Sequence, residues 1–316
     1  MDIVNKSILV TGGAGFIGSH IVNKLASINT KRIRIVDNLS TGCINNVSNL
    51  LNNNVEFVYG DITNLEVCRH VCKDIDIVCH QAAIGSVPRS VKDPLLSHNN
   101  NVNGFLNLLI ACNENNIKRV VYASSSSVYG DNDTLPKIEH NTGSALSPYA
   151  ATKQINEIYA NVFCKCYNME LIGLRYFNIF GERQQPNGEY AAVIPKFINA
   201  LINNTSPVIY GDGSYSRDFT YVDNAVYANI LALSTTNKDC FNNVFNIGCG
   251  GQISILDLFR EISQNINSSI QPLFKCNRIG DIPHSNASID KAIALLDYEP
   301  IISFKEGIKK TIASYI

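Results

Sequence analysis

Short, continuous apolar runs recur along the chain at Ser7–Thr11, Ile33–Asp37, Val55–Asp61, Ile75–Gln81, Arg119–Ala123 and Leu171–Tyr176. Their length and β-branched content predict strands buried on both faces. Between them, apolar residues recur at helical spacing from Phe16 to about Ala26, from Leu95 to about Asn113, and over Tyr149–Cys166. Strands alternating with helices predict an α/β fold, a doubly wound parallel sheet. After about Phe177 the rhythm changes, with punctuation at Pro186-Asn187-Gly188 and Gly211-Asp212-Gly213. Helices near 190–203, 223–234 and 254–266, separated by short strands, predict a smaller mixed α/β C-terminal domain over 178–316. The first domain spans 1–177, and the segment 219–247 is expected to return to its sheet. The Asn-rich stretches 45–54 and 202–204 read as surface loops, and a last helix is expected over Ile289–Leu296.

Composition narrows the class. Apolar residues make up 45% of the chain and charged residues 17%, which fits a globular protein with a substantial core. A net charge of −1 offers no electrostatic footprint for nucleic acid or an anionic membrane. No apolar run approaches the length of a membrane span, and the chain opens almost at once into a strand, so no signal peptide is expected. The ten cysteines include no C-x-x-C pair, and the six histidines are scattered. No metal site is expected, and a reducing, cytoplasmic setting is.

The first chemistry lies in Gly13-x-Gly15-x-x-Gly18, which follows a strand and opens a helix. Glycines there allow a tight turn and close approach of a pyrophosphate to the helix N-terminus, the Rossmann arrangement. Asp37 ends the next strand, about 20 residues on, where an acid takes a ribose diol. It would repel a 2′-phosphate, so NAD is expected rather than NADP. Asp61-Ile62 is either an adenine contact or, for Asp61, a helix N-cap.

Further on, Ser147-Pro148 reads as a helix start, with Ser147 as N-cap. Tyr149 and Lys153 then share one helix face. A fixed ammonium favours phenolate and makes Tyr149 a usable base. The run Ser124-Ser125-Ser126-Ser127 follows a strand at the sheet's carboxyl end, where open α/β sheets bind ligands.

As a set, Gly12-x-x-Gly15-x-x-Gly18, Ser125, Tyr149-x-x-x-Lys153 and Arg175-Tyr176-Phe177-Asn178 resemble the extended short-chain dehydrogenases/reductases, which act on NAD-bound nucleotide sugars. The resemblance implies that Ser125, Tyr149 and Lys153 are catalytic. It implies NAD contacts from Gly12, Gly15, Phe16, Ile17 and Gly18, and from Asp37, Asn38, Ser40, Gly42, Asp61 and Ile62. Further NAD contacts are implied for Gln81, Ala82, Ala83, Asn101, Tyr149, Lys153 and Tyr176.

Dehydratases and decarboxylases of the family resemble Thr-Asp-Glu or Thr-Ser-Glu at the serine loop. Here only hydroxyls stand there, as in the 4-epimerases. The segments 80–90 and 187–196 are similar to those of bacterial UDP-N-acetylhexosamine 4-epimerases, and Arg217 and Arg278 lie in segments similar to the family's diphosphate-binding ones. Implied substrate contacts are Ser86, Ser125, Ser126, Tyr149, Asn178 and Gln184, with Val193, Lys196, Tyr210, Arg217, Arg278, Asp281 and Ser285.

Ser285 stands where relatives restricted to plain hexoses resemble Tyr, and a small residue leaves room for an N-acetyl group. A helix N-cap is the competing reading of Ser285, with Ser288 as the other candidate cap. Two departures stand out: Pro283 where the subgroup tends to Arg, and Tyr210 where it tends to Asn.

The implied reaction is NAD-dependent epimerisation at C4 of UDP-GlcNAc/UDP-GalNAc, and of UDP-Glc/UDP-Gal, through a 4-keto sugar that turns over about its anchored diphosphate. A UDP-uronic acid 4-epimerase, a nucleotide-sugar ketoreductase and a non-catalytic NAD-dependent sensor are the alternatives. A homodimer through the 95–113 and 149–166 helices is implied as well.

Overall fold

Strand β1 (Ser7–Thr11) is buried at every position and turns sharply into α1 (Phe16–Ser27). The computed structural model describes residues 3–28, 30–185, 191–276 and 282–316. After α1 come β2 (Arg32–Asp37), β3 (Val55–Tyr59), α2 (Leu65–Val71) and β4 (Ile77–His80). Two short helices, α3 (Val87–Lys92) and α4 (Pro94–His98), lead through a wide π turn at Asn99–Asn103 into α5 (Gly104–Glu114). Then follow β5 (Arg119–Ser125), α6 (Pro148–Tyr167) and β6 (Glu170–Tyr176).

The helix expected over Leu95–Asn113 is present as α4, the π turn and α5 in direct succession. Pro88 and Pro94 each sit at a helix start behind a capping residue, Ser86 and Asp93, and a proline that begins one helix cannot continue another.

Beyond β6 the elements shorten to β7 (Ile179–Phe180), α7 (Val193–Ile202), β8 (Val208–Tyr210), β9 (Ser216–Arg217) and β10 (Thr220–Tyr221). Helix α8 (Val222–Ser234) precedes β11 (Asn243–Ile247), then β12 (Ile253–Ser254) and α9 (Ile255–Ile266). The chain closes with β13 (Leu273–Lys275), β14 (His284–Ser285), α10 (Asp290–Leu296) and α11 (Phe304–Ala313). Ser285 lies in a strand, so the N-cap reading of that residue is set aside. Ser288 is the residue near the α10 start, its hydroxyl 2.7 Å from the Asp290 carboxylate. No helix among the described residues is long and apolar enough to cross a membrane.

Seven of the strands form one parallel sheet in the order β11-β6-β5-β4-β1-β2-β3. From β1 the chain first builds outward to β3, then crosses back and builds the other way from β4. The reversal falls between β1 and β4, which pair directly, and a crevice opens there at the strands' carboxyl ends.

Both faces of the sheet are covered, as continuous apolar strands require. Ile8, Val10, Ile33 and Ile35 face a core shared with Ile21 and Leu25 of α1 and Ala225 and Ala228 of α8. Leu9, Val36, Val78 and Val120 face the opposite core with Phe105, Leu108 and Leu109 of α5 and Phe163 of α6. Each of these large side chains removed from water contributes about 1.5–3 kcal/mol. Strand β11 pairs with β6 from Asn243↔Ile172 to Ile247↔Tyr176, at the sheet edge. The small sheets β12-β9-β14 and β13-β8 lie in the C-terminal part of the chain.

Candidate active site

The crevice is a cavity of ≈ 560 Å³. Its floor is the glycine turn. Gly12 adopts φ +66, and a Cβ on it would lie 2.7 Å from the Ala82 backbone. A Cβ on Gly18 would lie 2.2 Å from the Gly12 carbonyl oxygen. The first turn of α1 therefore approaches the loop closely only because both residues are glycine. Gly15 is the N-cap of α1 and offers no side chain there, leaving the helix N-terminus open for an anion.

Asp37 closes this end. Its carboxylate accepts hydrogen bonds from Ala14 N (3.0 Å) and Leu39 N (2.8 Å) while the residue still lines the cavity. Burial raises its pKa, and those backbone donors oppose the rise. The acid thus tethers the loop as well as facing it. Asn38 donates to Asp61 at 2.9 Å, and Asp61 accepts from Thr63 N. The N-cap of α2 is Asn64, so the capping reading of Asp61 falls and its place on the cavity wall stands.

Behind the crevice, His80 bonds Thr11 Oγ1 at 2.7 Å and links the ends of β4 and β1. Burial, reinforced by the Lys153 charge, pulls its pKa down to about 3 and keeps it neutral. A closed ring of amides sits nearby. Tyr176 Oη donates to Gln81 Oε1 (3.0 Å), Asn229 Nδ2 donates to Tyr176 Oη (2.7 Å), and Gln81 Nε2 donates to Asn229 Oδ1 (3.1 Å). Tyr176 and Gln81 line the cavity, and Asn229 of α8 holds them from within the core.

The proton-handling end is built by α6. Ser147 caps it by accepting from Ala150 N, with Pro148 in the first turn, as the sequence predicts. Tyr149 and Lys153 both line the cavity, the ammonium 6.0 Å from the phenol ring centroid. Lys153 is 3% exposed and donates to Ala123 O at 2.8 Å. Burial pulls its pKa to about 8, with Glu157 acting in the opposite direction.

The expected lowering of Tyr149 is not met by the protein groups alone. Burial raises the phenol's pKa, and the Ser125 hydroxyl, hydrogen-bonded to it, works against the rise. Desolvation outweighs a neighbouring ammonium that is itself buried and directed at a carbonyl.

The structure gathers Gly12, Gly15, Phe16, Ile17, Gly18, Asp37, Asn38, Ser40, Asp61 and Ile62 around this cavity. Gln81, Ala82, Ala83, Ser86, Tyr149, Lys153, Tyr176 and Gln184 line it too. The Gln184 Oε1 is buried and has no hydrogen-bond partner among the described residues. Gly42 packs against Asp37 and Ala14 without lining the cavity. Asn101 also stands back, bonding Ile84 N, Ile84 O and Thr152 Oγ1, and so fixes the 82–85 loop against α6.

A second group lies on the small sheet. Ser285 is the register partner of Arg217, whose Nη1 donates to Ser216 O and Pro283 O. Asp218, fully buried, accepts from Cys249 N, Gly250 N and Ala287 N, and burial pushes its pKa to about 6. Asn178 reaches this group by donating to Asp218 O at 3.2 Å. Ser126 begins the single turn after β5. Val193 and Lys196 are in the first turn of α7, next to the cavity-lining Ala192, and Tyr210 ends β8. Arg278, Asp281 and residues 186–190 lie outside the described residues.

Among the polar residues that support the site, the buried Asn229 and the partly buried Glu157 lie outside the sequence expectations. Glu157 stands one turn after Lys153, a spacing readable in the sequence. Asn229 resembles any polar residue on a surface helix, and only its distant partners distinguish it.

Residues 8–248 match the profile of the NAD dependent epimerase/dehydratase family. A UDP-N-acetylglucosamine 4-epimerase from Methanobrevibacter ruminantium, solved with UDP-N-acetylmuramic acid, superposes with a TM-score of 0.93 at 42% identity, covering 98% of both chains. A UDP-glucuronic acid 4-epimerase from Bacillus cereus, solved with its UDP-sugar and NAD, gives 0.91 at 32% identity, also over 98% of both. A UDP-glucose 4-epimerase of Mycolicibacterium smegmatis is 34% identical over 307 residues, 96% of each chain. The glycine turn, the open helix N-terminus and the acid at the end of β2 suit a dinucleotide, and the cofactor is NAD. The chain belongs to the NAD dependent epimerase/dehydratase family of nucleotide-sugar enzymes.

Proposed function

We propose that the protein inverts C4 of UDP-N-acetylhexosamines, interconverting UDP-GlcNAc and UDP-GalNAc, and also accepts UDP-Glc and UDP-Gal. The observation that carries this reading is the pair Tyr149 and Lys153 on the wall of the dinucleotide cavity, with Ser125 at the end of the adjacent strand β5. Ser124 to Ser127 are all hydroxyl residues, so the loop holds no carboxyl group to assist elimination of water.

Residues 1–177 with 219–247 would hold NAD, through the glycine turn, Asp37, Tyr176 and Lys153. The remainder of 178–316 would hold the UDP-sugar. When bound, NAD supplies a hydride acceptor and, at the end of the cycle, its donor. Ser125 orients the sugar's 4-hydroxyl and Tyr149 takes its proton. Lys153 fixes the phenol's electrostatics and would hold the nicotinamide ribose when NAD is bound. Arg217 and Arg278 anchor the diphosphate, so a 4-keto sugar can turn and present its other face to Tyr149.

Incubation of the purified protein with each UDP-sugar, followed by separation of products, tests this. Interconversion of UDP-GlcNAc and UDP-GalNAc without net NADH is expected. Turnover of UDP-glucose alone would remove the N-acetyl reading. Arg89 lines the same cavity beside Ser86, which favours including UDP-glucuronate as the second substrate class. Ser285→Tyr is expected to lower kcat/KM for UDP-GlcNAc by about 10–200-fold, while UDP-glucose turnover stays within a few-fold.

We also infer a homodimer. Val91 of α3 (64% exposed), Leu95 of α4 (72%) and Ile158 of α6 (62%) present apolar surface on helices that pack together. A second copy of the same face would cover them. Sedimentation at micromolar protein reports the mass.

A further inference from the structure

Glu157 stands one turn beyond Lys153 on α6 and is absent from the reaction described above. Its carboxylate accepts from Ser124 Oγ at 2.6 Å and takes a two-pronged ion pair from Arg175, with Nε at 2.8 Å and Nη2 at 2.7 Å. Ser124 and Arg175 are themselves register partners across β5 and β6, both nearly inaccessible. Arg175 is held from its far side by Tyr129 Oη and Glu139 O. The carboxylate is therefore clamped, and it clamps Ser124 in turn.

Ser124 has an informative place in the strand. The residue before it, Ala123, offers the carbonyl that receives the Lys153 ammonium. The residue after it, Ser125, carries the hydroxyl bonded to Tyr149. A hydrogen bond that fixes Ser124 thus fixes the partners of both Lys153 and Tyr149. Tyr149, Lys153 and Glu157 form one stripe at successive turns of α6, so the same carboxylate lies next along the helix from the buried ammonium.

We propose that Glu157 is a positioning residue for the epimerase reaction, holding the end of β5 through Ser124 and keeping Lys153 cationic through its charge. This rests on the epimerase reading of the site. Other charged or titratable groups around the stripe are His80 from β4, Tyr122 from β5, Tyr129 and Glu139 beyond it, Arg175 from β6 and Lys291 from α10. His80 is neutral, and burial holds the Tyr122 phenol protonated. Arg175 and Lys291 are cations, and Glu157 favours the ammonium.

The test compares NAD-loaded wild type, Glu157→Gln and Ser124→Ala on UDP-GlcNAc, following kcat, KM and the pH profile. Glu157→Gln keeps the shape and removes the charge, whereas Ser124→Ala removes the link and keeps the charge. Both are expected to lower kcat by about 10–100-fold with KM changed less than about threefold. In Glu157→Gln the alkaline limb of the profile should move to lower pH by at least about 0.5 unit, because Lys153 loses its proton sooner. In Ser124→Ala the limb should stay in place.

An unmoved limb in Glu157→Gln, or full rate in Ser124→Ala, overturns the proposal. If Glu157→Gln does not fold, Ser124→Ala decides alone. A wild type that epimerises nothing overturns the parent reading instead, so the two failures are separable.

Discussion

Tyr149→Phe is expected to yield a folded, NAD-loaded protein that epimerises UDP-GlcNAc about 10²–10⁴-fold more slowly than wild type. The substitution removes one oxygen from a partly buried ring on the cavity wall and leaves the ring in place. The helix start that positions it is built from other groups, the Ser147 cap and the Tyr149 backbone N–H donating to Ser90 Oγ at 3.0 Å. What disappears is the hydroxyl bonded to Ser125 and the acceptor for the sugar proton.

Ser125 would remain bound to Ser127 N at 3.1 Å, so the loop should hold its shape. Affinity for UDP-GlcNAc, read by calorimetry, should change little. Retained NAD and lost turnover together distinguish an enzyme from a sensor, in which the phenol would be dispensable. Activity within tenfold of wild type would show that another group moves the proton.

The largest stability change is expected for Arg175→Met. Arg175 is 3% exposed, and its guanidinium bonds the Glu157 carboxylate twice, with Tyr129 Oη and Glu139 O completing the set. It also lies 5.0 Å from the Tyr129 ring centroid. Methionine fills much of the stem's volume, so the loss is chiefly electrostatic. The change leaves the partly buried Glu157 carboxylate with the Ser124 hydroxyl as its partner among the described residues, and removing one member of a largely buried pair costs up to about 3–5 kcal/mol. Urea unfolding at constant pH should show the lower midpoint with an unchanged slope. A loss under about 1 kcal/mol would mean that water enters and solvates Glu157.

These two residues also mark how far the sequence could be read. The cofactor loop was legible because its causes are local. A strand, a glycine turn, a helix start and an acid at the end of the next strand occupy one short stretch, and the structure places them around one cavity. The α6 start was legible for the same reason, since Ser147-Pro148 is itself a signal. Helix α2 escaped notice because seven residues give too few turns for a helical period to emerge. The two-residue strands β9 and β14 have no pattern at all, yet their pairing sets Ser285 beside Arg217. Asp93-Pro94 is a helix start written in the sequence, and the helix expected from Leu95 begins there. Arg175 and Asn229 were illegible as structural hubs, because their partners lie far along the chain and only the folded state brings them together.

The placement of β11 has a consequence for how this molecule is made. Its partner β6 ends at Tyr176, and the chain traverses α7 and α8 before Asn243 returns to the sheet edge. On a ribosome, the nascent cofactor half would hold an unsatisfied row of β6 amides and carbonyls until that later strand emerges. A gene cut after residue 177 would leave that row permanently bare, a template for pairing with a second chain. The return of β11 thus ties the first 177 residues to the later chain, because their sheet is completed only by that strand.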